Sequence, residues 1–163
     1  MVEWKLLQEQ DDGGRWTSLV SRAQDGGPFQ SAAWGAYKRR FGWEPERWVA
    51  YTEPGEPIGC LQSLTRLLPF GRRLVWVPGG PVVGFAAAQG VPVGVLVARW
   101  LERVRREHRV VYVLFNCQQR STPQTLESLR HVCARPSVAM TSGCTMQIDL
   151  SGSLEAVRSA MTA

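Results

Sequence analysis

Lysine is almost missing from this chain. Its 163 residues include 19 Lys and Arg, yet only Lys5 and Lys38 are lysine. Histidine is as scarce: there are only His108 and His131, and neither stands in metal-ligand spacing with Cys60, Cys117, Cys133 or Cys144. No two of those cysteines form a CxxC pair, so no zinc site is expected. With no GxSxG and only two histidines to serve as base, a Ser-His-Asp hydrolase is poorly supported. GxxxxGK(S/T) and GxGxxG are absent too, which removes the common phosphate and dinucleotide loops. No carboxylate pair lies in the apolar context that acid–base work needs; Glu53 and Glu56 straddle a turn and read as solvated. The opening MVEWKLLQEQDDGG has no basic stretch leading into an apolar one, so no secretory signal is read and the cysteines are expected to be free in a reducing cytoplasm.

A soluble domain remains. Hydrophobic residues make up 44% of the chain and charged ones 20%, enough apolar surface for one core in a chain too short for two complete domains. Seven tryptophans outnumber three tyrosines and are spread along the chain, a distribution that suits packing. The net charge of +5 comes mainly from arginine, whose planar fork suits phosphate, so anionic partners are favoured without being named. PVVGFAAAQGVPVGVLVA (81–98) has nearly the length and apolarity of a membrane span. It is interrupted by Gly84, Gln89, Gly90, Pro92 and Gly94 and reads as a loop feeding a buried helix.

The patterning alternates strands and helices. VEWKLL reads as a strand and RWTSLVSRA as a short helix, stopped by QDGGP. Ser31 caps a helix through Phe41 that puts Trp34, Tyr37, Lys38 and Phe41 on one face, and Gly42 ends it. ERWVAYTE and PIGCLQSLTRLL flank EPGEP as a hairpin, and RRLVWVP follows the LPFG turn as a strand. VPVGVLVARWLERVRREH is the clearest helix, with Val93, Leu96, Val97, Trp100, Leu101 and Val104 inward and Arg99, Glu102, Arg103, Arg105, Arg106 and Glu107 in solvent. VVYVLFN is apolar enough for a strand buried on both faces. TLESLRHVCA reads as a helix, TMQIDL as a strand and SLEAVRSAM as a helix start. The fold class is α/β (α+β), a mixed central sheet flanked by helices.

Three blocks, in order, carry a resemblance: FQSAAWGAYKRRFGW, LTRLLPFGRRLVWVPGGPVVG and TMQIDLSGSLEAVRSAM. They resemble the N-terminal half of the FemABX family, aminoacyltransferases that build the cross-bridge of bacterial peptidoglycan. The family pattern reads roughly QSxxWxxxKxxxGW, then RxLPFGxxxxYxPxGPV, then TxxLDLSxSxxxxxxxM. Gln30, Ser31, Trp34, Lys38, Gly42 and Trp43 fit the first block. Leu68, Pro69, Phe70, Gly71, Pro78, Gly80, Pro81 and Val82 fit the second, and Asp149, Leu150, Ser151, Ser153 and Met161 the third. Gly79 stands where many relatives have Arg, and Trp76 where many have Tyr. Family members are about twice this length, two GNAT-like (acyl-CoA N-acyltransferase-like) halves joined.

The resemblance implies a GNAT-like domain over residues 1–144, with 145–163 opening a second, truncated half. It implies transfer of an amino acid from aminoacyl-tRNA to the stem peptide of UDP-MurNAc-pentapeptide or lipid II, with no cofactor. Lys38, its stem laid on Trp34, would face the precursor diphosphate. Gly79 and Gly80 would let backbone approach the ligand, and Arg73 would touch tRNA or precursor; the catalytic residues stay unassigned. The chain alone is expected to be inactive, a monomer, and in at most peripheral contact with the inner membrane face. The residues leave open a non-catalytic binding module for a phosphorylated ligand or an RNA end. An acyl-CoA enzyme is disfavoured, because QGVPVG (89–94) puts Pro92 where the (Q/R)xxGx(G/A) turn needs a backbone donor.

Overall fold

In a computed structural model of the chain, residues 2–8, 12–52, 55–85, 90–107, 109–118, 122–134 and 153–161 are described. Five strands form one sheet in the order β1 (Glu3–Leu6), β2 (Glu44–Tyr51), β3 (Pro57–Leu67), β4 (Arg73–Pro78), β5 (Val110–Asn116). All neighbours are antiparallel except β4 and β5, which run parallel and are joined through α3 (Val93–Glu107). A parallel pair needs such a crossover, whereas β2 and β3 need only the turn between them. The expected α/β architecture, a mixed sheet with helices against it, is the one the chain adopts.

Alternation along the strands sorts the core onto two faces. Trp48, Ala50, Leu61, Val75 and Val77 point to one face and pack against Leu96, Trp100 and Val104 of α3. Trp100 stands edge-on to Trp48 (6.4 Å, 85°) and to Phe115 (5.5 Å, 80°). The Trp4 indole donates to the Leu96 carbonyl at 2.9 Å, tying β1 to the same helix. Full burial of side chains such as Leu96 or Val97 contributes roughly 1.5–3 kcal/mol each. On the opposite face, Val49, Cys60 and Val82 meet Trp16, Leu19 and Ala23 of helix α1 (Asp12–Arg22) or the turn after it. Helix α2 (Ala32–Arg39) lies on that second face too, beside β2 and β3.

Two readings shift. β5 is not buried on both sides: Val111 is 52% and Tyr112 48% exposed, while Val110, Val113 and Phe115 pack on the core. Among the described residues β5 is an edge strand, and an apolar run cannot report how many neighbours it has. Arg103 is not simply solvated; it is half-buried, its guanidinium 5.8 Å from the Trp48 ring centre. Helices α4 (Pro123–Arg130) and α5 (Leu154–Met161) match the last two helical patterns. The expected strand TMQIDL and the boundary at 144/145 lie outside the described residues. Among those described, no helix is long and apolar enough to cross a membrane.

Candidate functional site

The segment leading into α2 is held by side chains that imitate backbone. Pairing of β3 with β4 stops at Leu64 and Trp76, so Gln62 and Pro78, which would face each other two residues further on, have no partner in each other. The Gln30 side chain sits between them. Its Nε2 donates to the carbonyls of Pro78 (2.6 Å) and Gln62 (3.1 Å), and its Oε1 accepts from the Gln62 N–H at 2.5 Å. Gln62 in turn donates from Nε2 to the Ser31 carbonyl (3.1 Å) and accepts at Oε1 from Arg47 Nε (3.1 Å). Both glutamines are fully buried. Each such group left unpaired would cost about 1–3 kcal/mol. The antiparallel ladder resumes beyond the gap, where Cys60 and Val82 exchange bonds of 2.9 and 2.8 Å.

Gln30 also accounts for Gly80, after β4. A Cβ on Gly80 would lie 2.9 Å from Gln30 Nε2 and 3.0 Å from a Val77 methyl. Gly79 has φ 67, a region that favours glycine, and its nearest neighbours are the side chains of Gln118 and Phe29. The Gly80–Pro81 peptide is cis.

Ser31 then caps α2 as its sequence implies, its Oγ accepting from the Trp34 N–H at 3.1 Å. The helix lies close on the sheet because Gly35 is buried against Gln62 and Pro45. Gly42, at φ 78, turns the chain so that the Trp43 N–H reaches back to the Lys38 carbonyl at 3.3 Å. Trp43 then meets Trp76 of β4 at 5.8 Å. The Trp76 indole donates to Asn116 Oδ1 at 2.7 Å, which brings the end of β5 into the same wall.

Lys38 lies in that wall. Its Nζ is 4.8 Å from the Trp34 ring centre, 5.2 Å from Trp76 and 5.9 Å from Tyr37. None of the ion pairs formed among the described residues uses it. The Trp34 Nε1–H is buried without an acceptor. The same is true of the Trp48 and Trp100 indoles in the core, so the donor open to an anionic oxygen is the Lys38 ammonium. Beside them Phe29, Trp34, Tyr37 and Phe41 form a ladder with ring spacings of 5.0, 5.5 and 5.0 Å, partly open to solvent. Arg66 stands 5.7 Å from Trp43 at the far side.

Lys38 and Trp34 are thus brought together, and Gly79 joins them through Phe29. Gly80 packs on Gln30 behind them. Arg73 is not part of this group: it begins β4, whereas Gly79 and Gly80 follow its end, about 17 Å of strand away. Arg39 pairs with Glu44 at 3.7 Å and, like Arg40, is exposed. Sequence reasoning missed the parts played by Gln30, Gln62, Trp76 and Asn116. Only a buried-polar argument for two glutamines in apolar surroundings could have signalled the first two.

Two further features bear on chemistry. Burial pushes the Cys117 thiol up to about 12, with Cys133 and Asp25 adding to the effect, so it is a poor nucleophile near neutrality. At the start of α3, the Gly94 N–H donates to Ser128 Oγ of α4 at 3.3 Å, and a Cβ on Gly94 would collide with the Ser128 carbonyl. Helix α4 thus lies against the helix end where a CoA diphosphate would need free N–H groups.

No family model matches the chain, and no curated protein matches it in sequence. Solved structures match it in shape. FemX superimposes with a TM-score of 0.62 at 17% identity, over 79% of this chain and 31% of FemX, so the chain spans under a third of that protein. A ribosomal-protein-alanine N-acetyltransferase from Brucella melitensis biovar Abortus 2308 gives 0.55 at 17% identity, over 91% of this chain and 100% of the other. An aminoglycoside acetyltransferase from an uncultured soil metagenomic sample gives 0.57 at 15%, over 90% and 99%. Identities this low speak for the fold alone: the chain has the GNAT fold that its sequence blocks imply.

Proposed function

We infer that the chain is the first GNAT-like unit of a FemABX-type aminoacyltransferase acting in the cytoplasm on a peptidoglycan precursor. The observation that carries this reading is the Lys38 ammonium, held over Trp34 and Trp76 and outside every ion pair formed among the described residues. A diphosphate of UDP-MurNAc-pentapeptide or lipid II supplies the anionic partner for Lys38, and the aromatic ladder offers rings for the rest of the ligand to lie on. The order of the three sequence blocks and the likeness to FemX support the same assignment.

The reaction would be aminolysis. The stem-peptide amine attacks the ester carbonyl of aminoacyl-tRNA, a C–N bond forms, the ester C–O bond breaks, and the proton lost by the amine goes to the departing ribose oxygen. An ester is already activated, so holding the two substrates in register can supply much of the rate. Such a route asks for no enzyme nucleophile, which suits a Cys117 thiol raised to about 12.

An amide-resolved NMR titration with UDP-MurNAc-pentapeptide tests it. Shifts at residues 34–43 and 76–80 are expected, weakened about tenfold or more in Lys38→Met, since a charge-assisted contact is worth roughly 1.5–3 kcal/mol. A dispersed spectrum that ignores the ligand removes the precursor from this wall. The half-exposed Tyr37 and Phe41 rings favour a second reading, a binding module on which the bases of an RNA end stack. Titration with a single-stranded CCA-ended oligonucleotide separates the two, because only the module reading expects it to shift the same residues without the precursor.

A further inference from the structure

The turn between β3 and β4 holds its apolar side chains away from the protein. Phe70 is 89% and Leu67 70% exposed, the most exposed large hydrophobic residues among those described. The turn is closed rather than slack: the Leu68 N–H donates to the Arg72 carbonyl at 2.7 Å. Phe70 is held at φ 62, uncommon for any residue but glycine, and Gly71 follows at φ 70. Phe70 thus combines a conformation that phenylalanine seldom adopts with a ring that stands in solvent.

Arginines collar this tip. Arg66 and Arg72 flank it, both exposed, and Arg73 starts β4. The Arg73 N–H donates to the Arg109 carbonyl at 2.9 Å, which brings Arg109 to the same end. Arg105 and Arg106, in the last turn of α3, lie just before it in the chain. Glu44, the carboxylate that opens β2 opposite Thr65, is engaged by Arg39. A projecting apolar point flanked in the chain by Arg66 and Arg72, with Arg73 and Arg109 at the same end of the sheet, is the inverse of a pocket.

We propose that this tip seats on an acidic phospholipid bilayer, with Phe70 and Leu67 entering the headgroup boundary and the arginines meeting anionic headgroups. The shape favours lipid over a protein groove-binder, because the surface is convex. The composition favours lipid over RNA, because Phe70 is the one aromatic ring at the tip and the exposed Leu67 and Pro69 beside it would stay in water if a base stacked there. The inference does not depend on the Lys38 site.

Cosedimentation of the chain with vesicles tests it, using phosphatidylcholine with and without phosphatidylglycerol. Binding is expected only with the anionic lipid, falling as salt is added. Phe70→Ser should weaken it roughly tenfold, for loss of a buried ring. Arg72→Ala should weaken it about fivefold. Leu126→Ser, which removes an exposed leucine on α4, should bind as wild type, and circular dichroism checks that each variant is folded. Equal binding to neutral vesicles, no binding at all, or a folded Phe70→Ser that binds unchanged would each overturn the proposal. Loss of single-stranded RNA retention in Phe70→Ser without vesicle binding would also overturn it and assign the tip to RNA.

Discussion

Gln30 and Gln62 exchange two hydrogen bonds, side-chain amide to main chain, at 2.5 and 3.1 Å, in a place where one strand would ordinarily bond to the next. The same amide reaches Pro78 at 2.6 Å, so one side chain keeps β3 and β4 joined where their ladder has parted. The segment that leads into α2 is held by this join.

Gln30→Leu should therefore destabilise the chain by about 3 kcal/mol, leaving the Pro78 and Gln62 main-chain groups buried and unpaired. Gln30→Glu should be comparably damaging, since an ionised carboxylate cannot donate to either carbonyl. Urea unfolding read by tryptophan fluorescence measures both. A loss under about 1 kcal/mol in Gln30→Leu would mean that water or a shifted strand replaces the amide.

Lys38 should separate stability from binding. Its cation–π contacts contribute about 1 kcal/mol or less, so Lys38→Met should unfold nearly as wild type while losing anion affinity. Trp34→Ala should cost about 2 kcal/mol or more, because that ring packs on both Phe29 and Tyr37. If Lys38→Met were the more destabilising change, the ammonium would be a structural group.

The buried thiols set an alkaline limit. Burial raises Cys60 and Cys117, the latter to about 12 from an ordinary value of 9.0. A thiol with a raised folded-state pKa contributes stability that is complete below the unfolded value and is lost as pH rises between about 9 and 12. Urea midpoints should fall across that window, and less steeply in a Cys60→Ala, Cys117→Ala double variant. At about pH 8 the folded chain should leave both residues unalkylated by iodoacetamide, and urea should expose them. Rapid alkylation of Cys117 in the folded chain would point to an activated thiol.

Gly94→Ala probes the contact between α3 and α4. The new methyl would meet the Ser128 carbonyl, so a cost of about 1–3 kcal/mol is expected despite alanine's better helix propensity. A stabilised variant would show that α4 can move off the helix end, freeing the N–H groups there. Calorimetric melting of the two proteins decides between these outcomes.

Local signals carried far along this chain. Ser31 as a cap, Gly42 as a stop, the EPGEP hairpin and the apolar stripe of α3 each follow from contacts a few residues apart, and the structure contains all of them. The pairing of Lys38 with Trp34 is also local, one helical turn, and was legible for that reason. Trp76 and Asn116 are 38 and 78 residues from Lys38 in the sequence, so no periodicity could bring them to its side.

What the sequence determined by itself is the set of elements, the face each turns inward, and a basic residue set among aromatics. These depend on short-range sterics and on the periods of helix and strand. Tertiary structure alone decided that β5 is an edge strand among the described residues, that Arg73 stands at the opposite end of β4 from Gly79, and that Gln30 replaces a stretch of ladder. Those outcomes depend on which strands become neighbours and where their pairing stops, and the energies that settle it are summed over residues far apart in the chain.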